Sequence, residues 1–160
     1  MRQFCYYTFL VSFSFLIIGC KSDNNSKQYN DLFDEYFIPS QIIISRTSTE
    51  PTTLLQCQEA YNQGNYGLAA GVFLGYEPIL EPPSRLAYAT SLIKTDKEEA
   101  AIIQLKKLEP VPLYNEASYW YQGLLSLRKS DIENMKTQFA QIKEGSRYKP
   151  KTLEVISKIK

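Results

Sequence analysis

A chain of 160 residues has room for one ordinary domain, and its 18 basic and 17 acidic side chains nearly cancel. This balance argues against binding to nucleic acid or anionic lipid by bulk electrostatics. The chain has no histidine, which excludes Ser-His and Cys-His nucleophile pairs and removes the commonest metal ligand. We therefore expect no nucleic-acid partner and no metal site.

The first twenty residues differ from the rest of the chain. Their one charged side chain, Arg2, precedes an apolar stretch over residues 4–18. Such a stretch falls short of the ~18 to 20 residues that span a bilayer as a helix. A basic start, a short apolar middle and a small-residue end are typical of a secretory signal over residues 1–19. The alternative is an uncut membrane anchor, which the shortness of the stretch disfavours.

The end of this stretch carries a motif. Ile17, Ile18, Gly19 and Cys20 resemble the lipobox of bacterial lipoprotein precursors. The resemblance implies cleavage before Cys20, a diacylglycerol on its thiol and an acyl chain on its new amino group, and this covalent lipid is the only cofactor we expect. Lys21 is not the Asp that holds many Gram-negative lipoproteins at the inner membrane, which favours the outer membrane. A general signal with an accidental cysteine is the alternative.

One cysteine remains besides Cys20 once the signal has been removed, namely Cys57. A single thiol cannot form an intramolecular disulfide, so the fold must depend on its core. Cys57 shares a helical face with Leu54 and Tyr61, which predicts a small buried apolar residue. A reactive or intermolecular thiol is the alternative.

The mature chain divides into three segments. Residues 20–29 are polar, without aliphatic side chains, and predict a flexible tether. Residues 30–52 have no clear pattern, although Asp31 to Phe37 could form a short helix and 42–44 are a brief apolar run. Residues 53–160 have a regular pattern and predict a helical repeat domain.

In this last segment, apolar residues recur at spacings of three and four, which is the period of an α-helix. Six such faces form pairs that are broken at the turn residues Asn65, Asp96 and Asp131, which lie 31 and 35 positions apart. A last helix begins near Lys149. The second face contains Leu68, Ala69, Val72, Phe73 and Tyr76, and the last face contains Leu153, Ile156 and Ile159. The pattern predicts an all-α fold of about three helical hairpins plus a final helix.

A period near ~34 residues with one hairpin in each unit is typical of tetratricopeptide repeats. The segment from Ala60 to Ala69, followed by Phe73, is similar to the Ala-Tyr, Gly-Asn-Tyr, Ala and Phe positions of that family. Trp120 to Gly123 resembles the Trp-x-x-Leu-Gly opening, and Phe139 stands where the late aromatic belongs. The resemblance covers about residues 53–143. It implies a short α-solenoid with one concave face and a C-terminal capping helix.

Two positions depart from the family pattern. Met135 replaces a small Ala, and Gln104 replaces an aromatic residue. Segment 97–100 nevertheless matches the start of a second helix in its unit. These differences put strict repeat geometry in doubt but not the helical hairpins themselves.

Tetratricopeptide arrays bind peptides or partner proteins in a groove lined by their first helices. In the register that the resemblance implies, Arg85, Tyr88, Trp120 and Tyr121 are the candidate groove residues. Flat aromatic rings beside a guanidinium suit an extended peptide. The competing interpretation of Trp120 is a packing residue, as the tryptophan at the family's opening position usually is.

These observations predict a membrane-anchored, non-enzymatic scaffold or adaptor that binds another protein or peptide of the bacterial envelope. The alternative is a carbohydrate- or small-ligand-binding envelope lipoprotein, because aromatic side chains can stack on sugars. An enzyme is the third class. The acidic pairs Glu98–Glu99 and Asp131 with Glu133 stand at predicted helix starts, where capping and the helix dipole explain them.

Overall fold

The structure is a computed structural model that describes residues 23–41 and 52–159. Over these residues the chain is all-α, without a strand, which confirms the all-α part of the prediction. The helices are α1 (Asp23–Tyr36), α2 (Thr52–Asn62), α3 (Tyr66–Tyr76), α4 (Pro82–Lys94), α5 (Glu98–Lys106), α6 (Asn115–Arg128), α7 (Ile132–Ala140) and α8 (Lys149–Lys158), and a 3₁₀ turn spans Glu77–Ile79. In the described ranges no helix is long and apolar enough to cross a membrane.

Several predictions lie outside the described residues and stay predictions. They are the signal over residues 1–19, the lipid attachment at Cys20 and the apolar run at 42–44.

The three helix pairs α2–α3, α4–α5 and α6–α7 are joined by turns of one geometry. Gly64, Asp96 and Ser130 each have a positive φ, between 56° and 82°. The N–H of each donates to the carbonyl three residues back, and the next N–H donates to the carbonyl five residues back. This is the Schellman ending of a helix, whose left-handed residue allows the chain to reverse.

The equivalent turn residues correct the predicted register. Gly64, Asp96 and Ser130 lie 32 and 34 positions apart, whereas the sequence pattern grouped Asp96 with Asn65 and Asp131. The latter two residues instead begin the following helices. Asn65 accepts a hydrogen bond from the N–H of Leu68 at 3.3 Å, and Asp131 accepts one from Asn134 at 3.0 Å. Such side-chain caps satisfy N–H groups that a helix start leaves unpaired.

Neighbouring hairpins pack through consecutive helices, α3 against α4 and α5 against α6. Each of the helices α3, α5 and α6 carries a small buried residue, namely Ala69, Ala101 and Ala117. Ser118 on α6 donates to the Leu105 carbonyl on α5 at 2.6 Å. The described residues therefore form one continuous hydrophobic core from α1 to α8.

The predicted flexible tether over residues 20–29 is wrong from Asp23 onward, because α1 begins there. The buried side chains of α1 follow a helical stripe that starts at Tyr29, two residues before the expected short helix. They are Tyr29, Leu32, Phe33 and Tyr36, followed by Phe37 just beyond the helix end. The polar residues that predicted a tether form the first turns of this helix. They include no apolar side chains, so the helical period cannot be recognised there from the sequence.

Two predicted apolar faces are also only partly buried. Leu68 is 54% exposed, and Leu153 and Ile156 of α8 are 59% and 38% exposed. Phe73 and Val155 occupy the buried side of these two helices instead. The pattern identified both helices correctly, but it assigned to the buried face some residues that are exposed.

Candidate functional site

The chain leaves α1 through a segment without helix or strand, Phe37–Gln41, which we call the N-terminal strap. Tyr121 of α6 donates its hydroxyl hydrogen to the Ile38 carbonyl at 2.7 Å. Tyr61 of α2 donates to the Ser40 carbonyl at 2.8 Å. The Phe37 ring meets the Tyr121 ring edge-on at 5.4 Å between centroids. Side chains of two different hairpins therefore hold the backbone of the strap.

Burial keeps both tyrosines in the donor form. It raises the pKa of Tyr61 and of Tyr121 well above the ordinary value for a phenol, because a phenolate inside the protein would lose its hydration. The hydroxyl of Tyr61 also lies 2.8 Å from Thr90 Oγ1 on α4. The hydrogen bonds to the strap are consequently present over the whole physiological pH range.

Helix α1 is packed against the repeat hairpins beside this surface. Its four buried side chains and Phe37 are each less than 8% exposed. At ~1.5 to 3 kcal/mol for each large apolar side chain, their burial is worth on the order of 10 kcal/mol. A ligand that displaced α1 would have to offset this burial.

Two cavities are lined in part by the strap. The larger has a volume of about 580 Å³ and the smaller about 380 Å³. Both are lined by Ser40, Gln41, Arg147 and Tyr148, so we treat them as one surface and call it the strap cleft. The larger is completed by Tyr36, Ile38, Pro39, Trp120, Tyr121 and Lys151, and the smaller by Pro83, Leu86, Leu113, Tyr114, Glu116 and Ala117.

A column of stacked side chains forms one wall of the larger cavity. The Arg147 guanidinium lies over the Tyr148 ring, 4.8 Å from its centroid. Tyr148 is stacked on Trp120 at 5.6 Å, and Trp120 on Phe139 of α7 at 5.3 Å. Arg147 also donates to the Tyr148 hydroxyl at 2.7 Å. The Arg147 guanidinium is therefore positioned at the cleft by a stack whose inner members, Trp120 and Phe139, are buried in the core.

The larger cavity is electropositive. Among the residues that the structure describes, Arg147 and Lys151 line it and no carboxylate does. Within the described ranges, neither cation takes part in an ion pair. The one acidic residue of the strap cleft, Glu116, lines the smaller cavity. The charge thus changes along the cleft, which gives an extended ligand a preferred direction.

The rims of the strap cleft are apolar. Ile38 is 62% exposed beside the larger cavity, and Leu113 is 89% exposed beside the smaller one. A ligand that covers the cleft would remove both side chains from water. Cavities of this size, with apolar walls and a few placed polar groups, are typical of ligand sites.

The structure does not bring the four predicted groove residues together. Arg85 donates to Gln104 and to the Glu77 and Leu80 carbonyls, at 2.8 to 3.1 Å. Tyr88 is buried against the Phe73 ring at 5.9 Å. Both face the junction of α3, α4 and α5, so their prediction as groove residues is corrected. Arg85 fastens the connection between α3 and α4.

The other two predicted groove residues do line the strap cleft, although little of either is exposed. Trp120 is 2% exposed and Tyr121 is 1% exposed. The stacking of Trp120 on Phe139 and Tyr148 agrees with its competing interpretation as a packing residue. Its ring is therefore not open for stacking on a sugar.

The sequence pattern missed the residues that define the strap cleft. Arg147, Tyr148 and Lys151 stand around the start of α8, and Ser40 and Gln41 end the strap. One signal was present: a basic and aromatic cluster directly after Gly145, in a region that had been assigned only a cap. The strap itself carried no periodic pattern.

Cys57 is buried, as predicted. It is 2% exposed, and its sulfur lies 3.3 Å from the Ala69 carbonyl. Burial raises the pKa of the thiol to about 11, so the reactive thiolate is scarce at neutral pH. Cys57 therefore acts as a core residue.

Comparison of the chain with protein-family models, with curated proteins and with solved structures gives no match. The strap cleft must accordingly be judged on its own geometry.

Proposed function

We propose that the protein is a non-enzymatic adaptor of the bacterial cell envelope, anchored by a lipid on Cys20 and located at the outer membrane. Its binding surface is the strap cleft, and its partner is an extended peptide of another envelope protein. The observation that carries the proposal is the binding of the strap itself, because Tyr61 and Tyr121 already hold a non-helical stretch of backbone by its carbonyls.

The proposed architecture is a short tetratricopeptide-like solenoid of three hairpins with α8 as its cap. It is supported by the identical turns at Gly64, Asp96 and Ser130 and by the regular packing of each hairpin on the next. Stacked hairpins share one core and offer an extended surface. In this protein α1 and the strap cover part of that surface, which leaves the strap cleft for a partner.

The chemistry of the cleft defines the partner peptide. An acidic side chain would pair with Arg147 and Lys151, and apolar side chains would cover Ile38 and Leu113. Arg147 is already positioned by its stack on Tyr148, so less side-chain entropy is lost when it binds. The lipid anchor would hold this surface close to the membrane.

Photocrosslinking in intact cells tests the proposal. A photoreactive amino acid at Gln41 should form an adduct with an envelope protein, whereas the same group at Lys106, an exposed residue of α5, should not. The captured peptide is then synthesised and titrated against the purified protein. Replacing Arg147 and Lys151 with Ala should weaken its binding at least about tenfold, since each charge-assisted contact is worth ~1.5 to 3 kcal/mol.

Matched controls separate the surface from general effects. Lys106→Ala changes the net charge by one and should leave the affinity unchanged. Cys20→Ser should abolish incorporation of labelled fatty acid. Equal capture at Gln41 and Lys106 would contradict the assignment of the strap cleft, and a wild-type protein without lipid label would contradict the anchor.

The second candidate function is binding of a carbohydrate or another small ligand in the larger cavity. Its volume of about 580 Å³ is in the range of ~300 to 1,000 Å³ that is usual for small-ligand sites. Titration of anionic and neutral glycans against the same Arg147 and Lys151 variants separates the two candidates. Saturable glycan binding that these substitutions abolish, without peptide binding, would replace the adaptor proposal.

A further inference from the structure

A third cavity lies apart from the strap cleft, where α1, α7 and α8 meet. Its volume is about 330 Å³, and we call it the α7–α8 groove. Five of its six lining residues are apolar or aromatic, and the sixth is a lysine that is paired with Glu133 at 3.2 Å. The lining residues are Tyr29, Ile132, Met135, Lys136, Ile156 and Ile159.

This groove lies close to the point where the chain enters the domain. Tyr29 is six residues into α1, or ~9 Å along the helix from Asp23. Cys20 precedes Asp23 by three residues, which span at most ~11 Å when fully extended. Cys20 therefore lies within roughly 20 Å of the groove.

The same end of the domain is fastened to α1 by polar contacts. Gln28 donates to the Lys158 carbonyl at 2.7 Å, and Lys158 donates to Glu35 and to the Tyr36 hydroxyl, each at 2.7 Å. These bonds hold the middle and the end of α1 against the end of α8. Tyr29, which follows Gln28 on α1, is thereby held at the groove.

We propose that the α7–α8 groove binds one fatty acyl chain of the lipid on Cys20. This inference rests on the lipid anchor of the proposed function. The apolar walls exclude water from a polymethylene chain and give it dispersion contacts along its length. Met135, at the base of the groove, has an unbranched side chain that adapts to an irregular occupant.

The size of the groove fits a single chain. An apolar cavity of about 150 Å³ holds one benzene molecule of six carbons, so about 330 Å³ holds roughly a dozen carbons of one acyl chain. The remaining chains of the lipid stay in the bilayer and anchor the protein. The bound chain fixes the α8 end of the domain against the membrane.

Photocrosslinking through the lipid tests this proposal in the full-length protein. Cells that produce it are grown with a fatty acid bearing a diazirine, irradiated, and analysed by mass spectrometry of the digested protein. The expected product joins the Cys20 peptide to a peptide that contains Met135 or Ile156. Ile156→Glu places a charge in the apolar wall and should lower the yield of this product at least about fivefold.

Ile103→Glu is the matched control, because Ile103 is a 56% exposed residue of α5 outside the groove, and it should leave the yield unchanged. A labelled Cys20 peptide without crosslinks to α7 or α8 overturns the groove proposal and leaves the anchor intact. A phospholipid adduct in the groove also overturns it, since the occupant would then come from the bilayer. A Cys20 peptide without any label overturns the anchor itself, and the groove proposal with it.

Discussion

Helices α3 and α6 are both rich in apolar and small residues, yet they have different surroundings. Helix α3 buries three of its eleven residues, whereas α6 buries ten of its fourteen. Helix α6 contacts α1, α5 and α7, while α3 contacts α2, α4 and the 3₁₀ turn after it. The buried fraction of a helix in this fold therefore depends on how many helices surround it and not on its apolar composition alone.

Glycine has opposite roles in these two helices. Gly67, Gly71 and Gly75 of α3 face open space, where an added methyl group would contact nothing. A methyl group at Gly123 of α6 would overlap the Phe139 ring. The ring packs directly on the α6 backbone, and the stack that positions Arg147 depends on this close approach.

The largest expected effect on stability is at Phe73, the fully buried aromatic residue of α3. Phe73→Ala should lower the free energy of unfolding by ~3 to 5 kcal/mol, because Phe73 is fully buried and its removal leaves a cavity. Urea denaturation followed by circular dichroism measures this change. Leu74→Ala on the exposed side of α3 is the control, with a loss within ~0.5 kcal/mol. Similar losses for both variants would show that α3 is packed differently.

A smaller loss is expected where α6 and α7 touch. Gly123→Ala should destabilise the protein by ~1 to 3 kcal/mol, because the new methyl group must displace the Phe139 ring from the Trp120 stack. Thermal unfolding gives the stability, and the near-ultraviolet circular dichroism of Trp120, the single tryptophan, reports the disturbed stack. An unchanged spectrum and stability would contradict the close approach of these helices.

The same substitution in α3 should have the opposite sign. Gly71→Ala should stabilise the protein by ~0.5 to 1 kcal/mol, because alanine loses less backbone entropy than glycine in a helix and its methyl group meets nothing. Urea denaturation of the two alanine variants, measured side by side, compares α3 with α6 directly. The change in the free energy of unfolding should be positive for Gly71→Ala and negative for Gly123→Ala. A loss of stability for Gly71→Ala would indicate that this face of α3 is covered.

The smallest expected effect on stability is at Glu77, in the 3₁₀ turn that follows α3. Hydrogen bonds from Lys107 and Gln104 lower the pKa of the Glu77 carboxyl below its ordinary value, against the opposing effect of burial. The stabilisation from Glu77 is then complete above the ordinary pKa of a glutamate, and it is lost as the pH falls through the lowered value. Glu77→Gln should therefore cost up to ~1 kcal/mol at pH 7 and almost nothing near pH 2.

Urea denaturation at a series of pH values measures this difference between wild type and variant. Glu144→Gln, at a more exposed ion pair with Lys149, should show a weaker pH dependence. A cost of Glu77→Gln that stays constant down to pH 2 would show that the ionised carboxyl is not the stabilising group.

The sequence predicted the helices of the repeat domain well because their signals are local. Apolar spacing of three and four marks each face, and turn residues mark each reversal. The register of the turns was wrong by one position at Asp96, since Asp is common both as a cap and in the left-handed conformation. Only the backbone geometry distinguishes these two roles.

The strap cleft could not be predicted in the same way, because its contacts are remote in sequence. Tyr121 binds the Ile38 carbonyl across 83 positions, and Tyr61 binds Ser40 across 21. The strap has no periodic pattern, so nothing local indicates that it crosses α6. Arg85 and Tyr88 were misplaced because α4, like α6, is buried on most sides. A helical wheel cannot tell which neighbour each side faces.

Hydrogen exchange of the full-length protein tests most directly whether α1 and the strap are a permanent part of the fold. The burial of Phe33 and Phe37 against α6 predicts that amides of residues 29–37 exchange as slowly as those of α6. They should also exchange more slowly than those at the exposed end of α3. Fast exchange of residues 29–37 beside a protected α6 would contradict the account, because the strap cleft would then be only one state of an open surface.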